Sequence, residues 1–120
     1  MTTDTVLSEL QESVPNFPMD PEYLKDGLRY PVFNDFARFI CSEAEVLQSA
    51  SSEAEARQMS QVPVSMEFLD RVLREGDDDV RPLVVECIET LATCEWVEQI
   101  KKYLGPEVRR MWASRFSSVV

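Results

Sequence analysis

The chain reads as an all-α domain, a compact bundle of about six to seven helices. Three observations predict this. Apolar residues recur every three to four positions along most of the length. Helix start and stop signals (Asp20-Pro21, Gly76-Asp77, Gly105-Pro106) punctuate it at short intervals. No segment alternates apolar and polar residues with turn chemistry beside it, and the one β-like fragment, Val62-Pro63-Val64, is short and broken by proline. With 120 residues the chain fits one domain, 1–120, with a single core.

The elements follow in order. Val6, Leu7, Leu10 and Val14 share a helical face from Thr3 to Val14, where Thr3 or Asp4 can cap the free amides. Pro15-Asn16-Phe17-Pro18 ends that helix. Asp20 then caps a short one with proline at its first position, running to Gly27 with Tyr23, Leu24 and Leu28 as its apolar residues. Tyr30-Pro31 opens a third segment whose Phe33, Phe36, Phe39, Ile40 and Leu47 form an aromatic stripe for the core.

Ser49 to Gln61 is polar and lacks a continuous stripe, so it is either a flexible loop or the frayed end of the third helix, with Pro63 restarting order. Met66, Leu69, Val72 and Leu73 mark a helix to Glu75, and Gly76 looks like a left-handed C-terminal cap. Asp77, Asp78 and Asp79 cap the next helix, which carries the cleanest stripe in the chain, Val80, Leu83, Val84, Cys87, Ile88 and Leu91; Pro82 sits in its first turn, where proline is tolerated. Trp96, Val97, Ile100 and Leu104 pattern another helix ended by Gly105. Pro106 starts the last, with Val108, Met111, Trp112 and Phe116 turned inward.

Composition removes whole classes of chemistry. There is no histidine, which excludes Ser-His-Asp and Cys-His systems and imidazole metal sites. Cys41, Cys87 and Cys94 lie within apolar patterns and read as buried small hydrophobes, a regulatory thiol being the alternative. On one helix Cys87 and Cys94 would stand about 10 Å apart, too far to bond. The three glycines offer no phosphate loop. The Asp77–Asp79 run lacks the internal glycine and closing glutamate of a calcium loop. Glu86 and Glu89 are three apart on one helix, yet no second convergent group accompanies them. Glu89, near the edge of the apolar stripe, is expected to be partly buried and to answer Arg81 or Arg109, or a neighbouring helix start. No catalytic residue, metal or cofactor is expected.

The net charge is -10 and uneven: residues 1–98 carry 21 acidic against 7 basic side chains, while residues 99–120 carry five basic against one acidic. So acidic a body repels phosphate backbones and anionic lipid, and attracts a basic protein. No stretch approaches the ~18 apolar residues of a membrane span, and the first residues lack a secretory pattern, so a cytoplasmic protein is expected.

Two resemblances add to this. Gly76-Asp77-Asp78-Asp79-Val80-Arg81, ahead of Leu83 to Leu91, resembles the turn and second helix of a HEAT-type repeat, in which an Asp-Val-Arg turn ties neighbouring helices. This implies HEAT-like helix pairs in the C-terminal half, with Arg81 in a structural role. From Pro31 to Trp112 the chain also resembles a family of small bacterial helical domains that look like immunity proteins of polymorphic or contact-dependent toxins. The matching pieces are Val32 to Arg38, Gly76 to Val80, Val85 to Leu91 and Tyr103-Leu104-Gly105-Pro106. The resemblance implies scaffold roles for Gly105 and Pro106, no catalysis, and a protein partner, a basic toxin domain. The alternative is a general helical adaptor. Glu75, Asp77, Asp78, Asp79, Glu95 and Glu98 are the expected contact residues.

Overall fold

A computed structural model describes residues 1–116. They form eight α-helices and no strand: α1 (Val6–Ser13), α2 (Pro21–Asp26), α3 (Arg29–Glu45), α4 (Glu53–Met59), α5 (Val62–Glu75), α6 (Arg81–Ala92), α7 (Val97–Lys101) and α8 (Pro106–Arg115). The all-α expectation holds, and the extents are 39 × 30 × 22 Å.

The long central helix α3 lies along α6 in the most extensive interface of the fold. It buries Val32, Phe33, Phe36, Ala37, Ile40 and Ala44 there and against its other neighbours. On the other side α5 packs against α1, α3, α6 and α8. The aromatic stripe is core, as expected. Phe36 meets Phe68 of α5 edge-on at 6.1 Å, and Phe17, from the double-proline loop, lies 5.2 Å from Phe36 and 5.3 Å from Phe39.

Several local details differ from the sequence reading. α1 begins at Val6, capped by neither Thr3 nor Asp4; the carbonyl of Thr2 takes its first amides instead. α2 starts and stops as expected, with the Asp20 carboxylate accepting from Glu22 N–H at 2.9 Å and Gly27 left-handed at φ 64°, but it buries no residue. The stretch 49–61 is neither loop nor frayed end. A 3-10 turn (Val46–Ser49) closes α3, and Ser52 caps a separate helix, α4, whose single buried residue is Ala56. Arg57 pairs with Glu53 within this helix and, across to α5, with Glu67 at 2.7 Å. Gly76 is not left-handed: it is extended, at φ -78° and ψ 151°. Glycine is required there for space, because a Cβ would lie 2.4 Å from both Val72 O and Val80 Cγ2. α7 is only five residues long.

The ends of α5 and the start of α8 are closed by groups from elsewhere in the fold. At the start of α5, Ser60 Oγ accepts from Val62 N–H and donates to the Glu43 carbonyl, while the Glu43 carboxylate accepts from Gln61 N–H at 2.8 Å. At its end, Arg81 donates to Leu73 O at 2.7 Å, the Met1 ammonium donates to Glu75 O at 2.9 Å, and Gly76 N–H donates to Val72 O. Arg71, midway, pairs with Glu9 of α1 and with Glu75, and donates to Ser13. α8 has no capping side chain of its own, since Gly105 occupies the cap position. Asp70 of α5 supplies one. Its Oδ1 accepts from Glu107 N–H at 2.8 Å and Val108 N–H at 3.0 Å, and Arg74 flanks Oδ2 at 3.4 Å. A Cβ on residue 105 would stand 2.5 Å from Asp70 Cγ, so only glycine lets the two helices approach this closely.

The cysteines also depart from expectation. Cys87 is a buried small hydrophobe on α6. Cys41 and Cys94 are half-buried and form a disulfide that joins α3 to the turn after α6, their Cα atoms 6.0 Å apart. Cys94 does not continue the helix of Cys87, and the bond partner lies 53 residues away, a proximity created by packing alone.

Asp70→Ala leaves one buried and one partly buried helix-end amide without a partner and should cost about 2–3 kcal/mol, read from urea denaturation; Gly105→Ala, which displaces the same carboxylate, should lower the midpoint too. Ser65 behaves oppositely. Its hydroxyl is fully buried in α5 with no hydrogen-bond partner among the described residues, so Ser65→Ala should leave stability unchanged or raise it by about 1 kcal/mol.

Candidate functional site

The six expected contact carboxylates are all exposed, but they do not form one cluster. Glu75 and Asp77 to Asp79 stand at the start of α6, whereas Glu95 and Glu98 lie past its end. A helix of twelve residues separates the two groups by roughly 18 Å. They also differ in how far their charge is already engaged. Glu75 is paired to Arg71 at 3.3 Å and Arg74 at 3.5 Å. Asp77 folds its Oδ1 back onto the N–H groups of Asp79 and Val80, at 3.0 and 3.2 Å, and so builds the turn into α6. The expected capping role thus falls to Asp77 and not to the whole run. Glu98 meets Lys101 at 3.4 Å. Among the described residues, the side chains of Asp78, Asp79 and Glu95 form neither an ion pair nor a hydrogen bond.

Between these ends, α6 turns one face to solvent. Helical spacing carries this face from Asp78 through Pro82, Val85 and Glu86 to Glu89. These side chains, with Arg81 and Arg115, line a shallow open groove of about 470 Å³. It continues past Glu86 and Glu89 to Asn34 of α3 and Thr90, where a smaller hollow of about 230 Å³ lies. Pro82 and Val85 give the floor apolar surface, and Asp78, Glu86 and Glu89 supply carboxylates. Among the described residues the Glu86 carboxylate, like that of Asp78, has no partner. On the far side of Arg81 a second hollow of about 340 Å³ is lined by Leu73, Glu107, Arg110 and Met111.

Glu89 corrects its sequence reading. It is exposed, not partly buried, and its partner is neither Arg81 nor Arg109 nor a helix start but Arg115, at 3.3 Å. The reason is geometric: Arg81 is turned to the Leu73 carbonyl and Arg109 to the Leu104 carbonyl, while α8 brings Arg115 over α6. The task expected of Glu89, bonding a neighbouring helix start, belongs to Asp70. Asp70 was legible in principle, since it shares a helical face with Met66, Leu69 and Leu73, and a carboxylate on a core face needs donors.

Among the described residues no three Cys, Asp or Glu side chains converge in a metal-binding arrangement. Cys87, close by in sequence, is wholly buried, and the loss of water raises its thiol pKa so far that it stays protonated. The hydrogen bond that Arg57 donates to Glu67, ahead of the ion pairing, raises the Arg57 pKa, and the one that Arg71 donates to Glu75 does the same for Arg71; both remain cations throughout. Such an arrangement can attract and orient a cationic surface.

Because Glu89 and Arg115 are both exposed, Arg115→Ala should change stability by less than about 0.5 kcal/mol in thermal unfolding, while freeing a third groove carboxylate.

No curated protein matches the chain, and no solved structure does. One family does match, over residues 5–118, which takes in all eight helices and the α6 groove: the chain belongs to the family described as Domain of unknown function (DUF7674).

Proposed function

We propose that the chain is a non-catalytic binding protein of the immunity type, which neutralises a basic bacterial toxin domain by covering it with the outer face of α6. One observation carries this reading. The Asp78–Glu89 face combines an apolar floor with two carboxylates, Asp78 and Glu86, that have no partner among the described residues, whereas the Arg57–Glu67 and Arg71–Glu9 pairs tie α5 to α4 and α1. Unengaged charge around apolar contact area suits a partner of opposite sign, because it speeds encounter and fixes orientation. The net charge of -10 extends the attraction beyond the groove. The turn from Asp77 to Arg81, with its bond to Leu73 O, fits the HEAT-like pairing of α5 and α6. A cytoplasmic site of action belongs to the same proposal; no helix among the described residues is long and apolar enough to cross a membrane.

A second reading, a general helical adaptor, is favoured by a different surface. Leu24, Leu28 and Tyr30, 36–46% exposed, fall within seven residues around the start of α3. An adaptor would use these apolar side chains and would bind a partner without regard to its charge.

Co-expression with a toxin domain encoded beside the chain separates the two. The immunity reading expects co-purification and protected cells. It also expects Asp78→Lys with Glu86→Lys to slow association about tenfold or more at low salt, with Leu28→Ser and Tyr30→Ser silent. Unprotected cells, or binding that ignores the charge reversals but fails with the apolar substitutions, would remove it.

A further inference from the structure

We infer that the Cys41–Cys94 disulfide is a reversible latch on the segment 95–104, opened by a low-molecular-weight thiol and closed again by the corresponding disulfide. The inference is independent of which partner the α6 face binds.

The location of the bond sets its effect. Cys94 sits in the turn between α6 and α7, and the bond fastens that turn to α3. Before it, α6 is held along its length by Leu83, Val84, Cys87, Ile88 and Leu91, all buried. After it, α8 is held by Asp70 at its first turn and by buried Val108 and Trp112. The ten residues between have weaker means. α7 is five residues long, too short to persist as a helix without tertiary support, and it buries one residue, Ile100. Trp96, Val97 and Tyr103 are only half-buried, and the segment's other buried residue, Leu104, lies at its far end beside α8. Cys94 Sγ also accepts from Trp96 N–H at 3.4 Å, so the sulfur helps shape the entry to α7. Breaking the bond therefore loosens one segment between two fixed points and leaves the rest of the core intact. Glu95 and Glu98 ride on that segment.

Both bonded cysteines are half-buried residues, within reach of exchange with a small thiol, while Cys87 is fully enclosed and takes no part. In the opening step a thiolate attacks one sulfur, forms a mixed disulfide and expels the other cysteine as a thiolate, which gains a proton. A second small thiol then cleaves the mixed disulfide. Two small thiols are oxidised to one disulfide, and the protein bond is reduced to two thiols; closing is the reverse. In compartments rich in small thiols, lasting structural disulfides are rare and reversible ones prevail.

Hydrogen exchange by mass spectrometry, with glutathione as the probe couple, tests this on the full chain. Reduction should speed exchange at 95–104 about tenfold or more, with the amides of α3, α5 and α6 still slow. Iodoacetamide should label no cysteine in the oxidised native protein and two after reduction, and glutathione disulfide should return the count to none. Cys41→Ser should show the fast segment without reductant, and Cys87→Ala should keep the latch. Faster exchange spread over the whole chain would make the bond a global staple and overturn the inference. So would unchanged exchange at 95–104, or a thiol pair that glutathione disulfide does not close.

Discussion

The C-terminal third of the molecule is built around one carboxylate. Asp70 lies on the buried face of α5, and its Oδ1 takes the two free amides at the start of α8. A carboxylate out of water is costly unless strong donors surround it, and the positive end of a helix is such a surrounding. The benefit is mutual, because α8 begins at a glycine and has no cap of its own. Gly105 permits the close approach, and Pro106 has no N–H that would need a partner. Once α8 is seated, Trp112 and Val108 enter the core, and Arg115 is carried over α6 to Glu89.

The same principle recurs at both ends of α5. Side chains from α3 and the turn before it close its first turn, and Arg81 with the chain's first residue closes its last. The bundle is held by apolar burial, which is non-directional. The helix-end bonds supply direction, specifying which end meets which neighbour. Glu43, Asp70 and Arg81 thereby fix the placement of helices that apolar contact alone would let slide.

This division explains what could be read from the residues alone. Burial follows local periodicity, so the stripes of α3, α5 and α6 were plain, as were the Asp20-Pro21 start and the Gly27 stop. Cross-chain bonds leave little local trace. The partner of Asp70 lies 37 residues on and that of Cys41 lies 53 residues on, and neither interval carries a signature. α4 was missed for another reason: with Ala56 alone buried, it has no stripe to detect, and its Ser52 cap and Arg57 pairs do the holding. For the candidate site, residue type and exposure were legible, but engagement was not. Glu75, Asp77 and Asp78 offer the same carboxylate in a string of letters; one is paired, one shapes a turn, and one has no partner among the described residues.

The shallow anchoring of α4 has a consequence for handling the molecule. Ala50 to Ser52 join a 3-10 turn to a helix that contributes a single methyl group to the interior, far along the chain from the α6 groove. Extra residues spliced in there would disturb little packing, since lengthening an exposed connection carries only a small entropic penalty. That junction is a natural position for a fluorophore or an epitope, since none of its residues lines the groove or forms the disulfide.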